Sequence, residues 1–317
     1  MTSLRSTLKS ATALAAFTLS FPMASWAEEP IPVVATFSIL GDMVERIGGE
    51  HIALTTLVGP DGDAHVYQPT PKAARSVAES DVLFLNGLDF EGWLERLAEA
   101  ASFDGAMVVA TNGVVPIAFD DHDDHDDHDD HDDEKHDDHD HGAFDPHAWQ
   151  SLENAVIYAN NIAAGLAQAD PENAGDYYAN RAAFVAEVEM LSADIEAMMK
   201  SLHADKRTVV TQHDAFGYFA ATYDLTFVAP QGMSTESEVS AGDVAALITQ
   251  IREESISAVF IESITDKRMM ERIANETGAT IGGTLYSDAL SAKKGPASNY
   301  LDMMRHNATT LSDALGN

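Results

Sequence analysis

Two rhythms of hydrophobic and polar positions alternate along this chain. Short runs of β-type residues at 33–37, 82–85 and 107–110 read as buried strands. Helical stretches separate them, one running to about Ile47 and stopped by Gly48-Gly49, another over about 91–101. The second half repeats the rhythm, with strands expected at 208–211, 227–229, 258–261 and 280–286. Helices are expected between them at 215–223, 241–252 and 266–276, and a closing helix at 299–315. Strand and helix in alternation predict βαβ units, and hence an α/β fold built on mostly parallel sheets flanked by helices.

Between the halves the period changes. Apolar residues recur at Tyr177, Phe184, Val188, Leu191, Ile195, Met198 and Leu202, one continuous helical stripe. Pro171 stands at a favourable helix start, and after Gly175 no proline or glycine interrupts the stretch. A helix over 171–202 is about 48 Å long at 1.5 Å per residue, enough to span two lobes. A length of 317 residues suits two lobes of roughly 130 residues each. The expected organisation is a first lobe over 28–168, a linking helix over 169–203 and a second lobe over 204–317.

The first 27 residues read differently, as a secretory leader. Arg5 and Lys9 supply the positive end, residues 11–23 are apolar and uncharged, and Ser25-Trp26-Ala27 is a small-x-small cleavage site. The apolar run is short for a membrane span, so the mature chain is expected to begin at Glu28 and to insert in no membrane. The chain contains no cysteine, which excludes disulfides, thiolate metal sites and an acylated N-terminal cysteine. A formal net charge of −34 argues against nucleic acid or anionic lipid as partner and favours cations.

Much of that charge is local. Residues 120–141 carry fourteen acids against one lysine, in a near-repeat of His-Asp-Asp without core-forming residues. The segment 119–142 therefore reads as a disordered loop. Its histidines, His122, His125, His128, His131, His136, His139 and His141, are expected to bind several divalent ions weakly, because ordering the chain opposes every site. Such a loop suits an auxiliary zinc collector or sensor, or simply a solvated acidic tract.

Six histidines lie elsewhere. His65 follows the turn-rich Gly59-Pro60-Asp61-Gly62-Asp63-Ala64, His147 stands in Asp145-Pro146-His147 just before a helix, and His213 closes the strand at 208–211. Asp288, after the strand ending at Tyr286, is a fourth candidate. The carboxyl ends of parallel strands are where α/β sheets collect ligands. Three imidazoles and one carboxylate form the usual tetrahedral complement for Zn²⁺. His51, His203 and His306 sit in ordinary surface or helical contexts. Asp145 suits either a hydrogen bond to an imidazole or a cap on the following helix. The helical His-Glu-x-x-His of zinc hydrolases is absent, and four protein ligands leave no open position for catalytic water, so the chain does not read as an enzyme.

Five blocks in order carry a family resemblance: residues 59–71, Asn86-Gly87-Leu88, Asp145-Pro146-His147-Ala148-Trp149, residues 213–218, and Leu285-Tyr286-Ser287-Asp288. With the acidic histidine-rich insertion, they make residues 30–317 resemble the zinc and manganese solute-binding proteins of metal ABC importers, the ZnuA-like proteins. The resemblance implies two lobes joined by a rigid backbone helix, with metal in the cleft, and places His65, His147, His213 and Asp288 on the family's ligand positions. Manganese members usually carry a carboxylate at the third position. The imidazole of His213 favours Zn²⁺ over the harder Mn²⁺. Some zinc members have an acidic residue before the first histidine; Ala64 stands there in this chain, which leaves Asp288 or water as the fourth ligand. The implied function is capture of Zn²⁺ in the periplasm by a monomer and its delivery to the permease of an ABC importer. A manganese transport protein and a metal-dependent adhesin are the competing readings.

Overall fold

The computed structural model describes residues 29–118 and 144–316. The leader, the segment 119–142 and its seven histidines lie outside these residues. The first half contains β1 (Ile31–Phe37), α1 (Ser38–Gly48), β2 (Ile52–Val58), α2 (Pro71–Ala78), β3 (Val82–Leu85), α3 (Leu94–Ala101), β4 (Ala106–Val109) and α4 (Leu152–Ala169). After α5 (Ala174–Lys200) come β5 (Thr208–Val210), α6 (Gly217–Tyr223), β6 (Thr226–Val228), α7 (Ala241–Glu253), β7 (Ala258–Glu262), α8 (Arg268–Thr277), β8 (Thr280–Leu285) and α9 (Tyr300–Leu315).

The strands form two four-stranded sheets, ordered β2-β1-β3-β4 and β6-β5-β7-β8, and every pairing is parallel. In each sheet the order reverses between the two central strands, β1 and β3 in one and β5 and β7 in the other. Loops leaving their carboxyl ends diverge there and open a crevice. The second sheet is covered on both faces. Val209, Ala258 and Phe260 belong to the main core, which runs through both halves. Their neighbours Val210 and Val259 turn the other way, into a smaller core with Leu247 and Ile251 of α7 and Met270 and Ile273 of α8.

The linking helix α5 is continuous over 27 residues, about 40 Å. It packs against α1 and α4 of the first lobe and α6 and α9 of the second, so it joins the two lobes. Pro171 sits in a short 3-10 turn ahead of it rather than within it. The expected stripe holds for Tyr177, Phe184, Val188, Leu191 and Ile195, and then shifts: Met199 rather than Met198 is buried, and Leu202 lies beyond the helix end. The strict seven-residue repeat drifts from a 3.6-residue helix, which accounts for the one-position shift.

Two elements, β2 and α2, have no counterpart in the reading of the sequence, whereas α4 is the helix expected after His147 and starts a few residues later than expected. Strand β2 lies at a sheet edge with only Ile52 and Val58 buried, so it lacks an apolar run. Helix α4 is alanine-rich, burying Ala155, Ala159 and Ala163 beside Tyr158 and Ile162, and the Ser151 side chain caps it by accepting from the Asn154 amide. It begins only after a 3-10 turn at Ala148–Gln150, so His147 is not at its start.

The lobes are also tied by polar contacts. The Tyr300 hydroxyl donates to the Trp149 carbonyl at 2.7 Å, and the Tyr300 amide donates to the Asp42 carboxylate at 2.9 Å. Burial pushes Asp42 up from 3.8 to about 6, against the Tyr300 amide and Arg46, which pull it down. A folded-state value above the unfolded one means that the stabilising contribution is complete below about pH 4 and lost as pH rises through 6. At pH 7.5 the ionised carboxylate is a cost. Asp42→Asn keeps an acceptor for Tyr300 and removes the charge, so unfolding of the metal-free protein in urea is expected to show a gain of about 1–3 kcal/mol at pH 7.5 that shrinks through pH 4.5 and vanishes only below about pH 4. Equal stability at pH 7.5 refutes the assignment.

Candidate metal centre

The structure brings together His65, His147, His213 and Asp288, all buried, with one ligand atom from each lying within 4.8 Å of the others. They come from four segments. The first lies between β2 and α2, the second between β4 and α4, the third between β5 and α6, and the fourth between β8 and α9. Each lobe supplies two.

Local structure aims each side chain. The Asp63 carboxylate accepts the His65 amide at 2.9 Å, the Trp93 indole N–H donates to the Ala64 carbonyl at 2.8 Å, and the His65 ring stands edge-on to Phe90. Asp145 Oδ1 accepts the His147 amide at 2.9 Å and lies 2.7 Å from its ring Nδ1. Asp145 thus orients the imidazole, and the cap on α4 falls to Ser151. Asn86, at the end of β3, holds the same turn by donating to the Pro146 carbonyl at 2.8 Å. Gly217 matters here too, because a Cβ at that position would stand 2.5 Å from Asp145 Oδ2.

On the second lobe, Glu262 is the residue the reading of the sequence missed. Its Oε1 accepts the amides of Gln212 and His213, both at 2.8 Å, and its Oε2 lies 2.6 Å from His213 Nδ1. The available signal was a carboxylate ending the apolar strand β7, one position past the expected strand. Asp288 is placed by its neighbours. Asn307 of α9 brackets Tyr286 with two hydrogen bonds, and the Ser287 carbonyl accepts from Trp149 and Gln150 of the first lobe.

The ring nitrogens face inward. His65 Nε2 and His147 Nε2 are 3.4 Å apart, and Asp288 Oδ2 lies 3.2 Å from His65 Nε2 and 3.1 Å from His213 Nε2. Asp288 Oδ1 is 3.6 Å from His147 Nε2 and accepts no hydrogen bond. Four atoms tetrahedrally disposed about an ion at 2.0–2.1 Å are separated by about 3.3 Å, so these spacings suit a small divalent cation. Burial opposes charge on His213 and on Asp288, but mutual attraction overcomes it. Glu262 and Asp288 hold the His213 imidazole well above the ordinary histidine range, and His213 and His147 hold the Asp288 carboxyl well below the ordinary carboxylate range. Without metal, then, the centre favours a protonated His213 facing an ionised Asp288, a proton where a metal ion fits.

The other three histidines among the described residues stay apart. His51 pairs with Asp176 at 2.9 Å, His203 is exposed beside Asp205, and His306 of α9 lies 3.0 Å from the Thr284 carbonyl.

Comparison with known proteins agrees with this architecture. The family described as ZnuA, zinc-uptake complex component A, periplasmic, matches residues 33–314. The manganese-binding lipoprotein MntA of Halalkalibacterium halodurans is 30% identical over 288 residues, covering 90% of this chain and 89% of its own. The iron-binding protein YfeA of Yersinia pestis is 30% identical over 284 residues, covering 90% and 86%. Among solved structures, the periplasmic zinc-binding protein TroA of Treponema pallidum superposes with a TM-score of 0.81 at 26% identity, covering 91% of this chain and 99% of its own.

Proposed function

This chain belongs to the periplasmic zinc-uptake component A family, and on that premise we propose that it captures Zn²⁺ in the periplasm through His65, His147, His213 and Asp288. As a member it is the metal-binding, substrate-binding component of an ABC transporter, working with a permease and an ATPase, and is not an enzyme. The relatives are named for manganese, iron and zinc, so the metal is argued from the centre itself. The observation that carries the reading is three imidazole nitrogens and one carboxylate, all buried, gathered within 4.8 Å of one another. A nitrogen-rich, four-coordinate set suits Zn²⁺, whereas Mn²⁺ prefers more oxygens and a larger shell.

Residues 1–27 act as the export leader, and the lobes at 28–168 and 204–317 close on the ion about the helix at 169–203. The relative MntA is named a lipoprotein, but these 317 residues offer no cysteine for a thioether-linked lipid. Among the described residues no helix is long and apolar enough to cross a membrane. The segment 119–142 serves as an auxiliary collector, delivering ions to the cleft.

Competitive titration with a chelating dye, of the full chain and of a variant lacking 119–142, tests both parts. The variant is expected to keep one tight zinc site that outcompetes equimolar Mn²⁺ at least a hundredfold, while the full chain adds several weaker ions. Loss of the tight site in the deletion, or equal preference for Mn²⁺, overturns the reading.

A further inference from the structure

The structure holds the three imidazoles unequally. His147 and His213 are fully buried and each has a carboxylate on Nδ1, Asp145 at 2.7 Å and Glu262 at 2.6 Å. His65 has Asp63 two residues upstream, as His147 has Asp145, and the amide bond to Oδ1 is the same in both. The other oxygen differs. Asp63 Oδ2 accepts the Thr235 hydroxyl at 2.6 Å, a contact between the lobes.

Thr235 belongs to the segment between β6 and α7. That segment is fastened to the loop carrying His213: Gln231 pairs with His213 in a parallel bridge, and the Asp214 amide donates to the carbonyls of Gln231 and Gly232. A continuous path of contacts thus runs from the His65 amide through Asp63 and Thr235 to the His213 loop. Of the four clustered residues, His65 is the one lining a wide surface groove, where Met233 and Ser234 face Val66, Tyr67 and Phe144. The groove gives solvent its approach to the centre, and the Asp63–Thr235 bond crosses from lobe to lobe beside it.

Building on the proposed ligand set, we infer that Thr235 is a positioning residue for metal exchange: its hydroxyl, through Asp63, holds His65 against the ion, and the ion enters and leaves on the His65 side once that bond opens. The other two imidazoles stay fixed by their own carboxylates, so exchange at His65 is the step that the groove and the Thr235 segment control.

The test is zinc release from the full chain, loaded with one equivalent, into excess chelating dye in a stopped-flow instrument. Thr235→Val keeps the side-chain shape and removes the donor, and release is expected to quicken roughly tenfold, the scale of a lost hydrogen bond to a charged acceptor. Thr235→Ser restores the donor and is expected to return release to within twofold of wild type. Thr222→Val, removing a hydroxyl that bonds within α6 to the Tyr218 carbonyl, is expected to have no effect. Wild-type release in Thr235→Val, or a Thr235→Ser protein as fast as the valine variant, overturns the inference. A titration of His65→Ala separates the two levels. If its affinity is unchanged, the ligand set falls and takes this inference with it. If its affinity drops while Thr235→Val is silent, this inference alone falls.

Discussion

His213→Ala is expected to weaken zinc binding by two to three orders of magnitude, while His203→Ala leaves it within twofold of wild type. Structural zinc sites bind with roughly 12 kcal/mol shared over four ligands, so one ligand is worth about 3 kcal/mol, near a hundredfold, and the lost second-lobe contact adds to it. The contrast is the informative part. Both residues are histidines near the start of the second lobe, but His213 is buried with Nε2 3.1 Å from Asp288, whereas His203 is exposed beside Asp205. The metal-free form complicates only the stability comparison. Removing a protonated ring from between Glu262 and Asp288 leaves two buried carboxylates facing a void, so His213→Ala is also expected to melt earlier without metal. Affinity is therefore measured by chelator competition on protein shown by circular dichroism to be folded. Equal losses in the two variants would falsify the placement of His213 at the ion.

The placement of those residues was readable in the sequence because parallel α/β sheets deliver ligands from strand ends. His213 follows β5, Asp288 follows β8, and the repeated alternation of strand and helix marks both ends without coordinates. The linking helix was readable because its buried side repeats over seven turns. What was not readable shares one physical cause. Strand β2 is paired by its backbone at an edge and buries little, and α2 is short and buries only Ala73 and Val77, too few positions for a periodic signal. Glu262 and Thr235 act across 49 and 172 residues of sequence, so their contacts exist only once the second sheet has formed and, for Thr235, once the lobes have met. Hydrophobic period reports which face is inside. It says nothing about which carboxylate stands behind a given imidazole.

Glu262 is where that missing information has its largest expected effect. Glu262→Gln is expected to weaken Zn²⁺ binding ten- to a hundredfold at pH 8, the usual range for losing the group that orients a metal-bound histidine. The carboxylate accepts the amides of Gln212 and His213 on one oxygen and sets the other 2.6 Å from the His213 ring Nδ1. An amide has one carbonyl oxygen. It either keeps the two backbone donors and turns its NH₂ group toward the ring N–H, or accepts from the ring and abandons the backbone. Either way His213 is no longer held in the tautomer that presents a bare Nε2 to the ion. The pH dependence distinguishes this from simple misplacement. Glu262 helps hold His213 well above the ordinary histidine range, so in wild type the metal competes with a tightly held proton. Glu262→Gln loosens that proton, and the disadvantage of the variant should shrink as pH falls from 8 toward 6. A ratio of affinities that stays constant over this range would mean that Glu262 only packs against the centre. A ratio that narrows identifies it as the group setting both the direction of the imidazole and its hold on a proton.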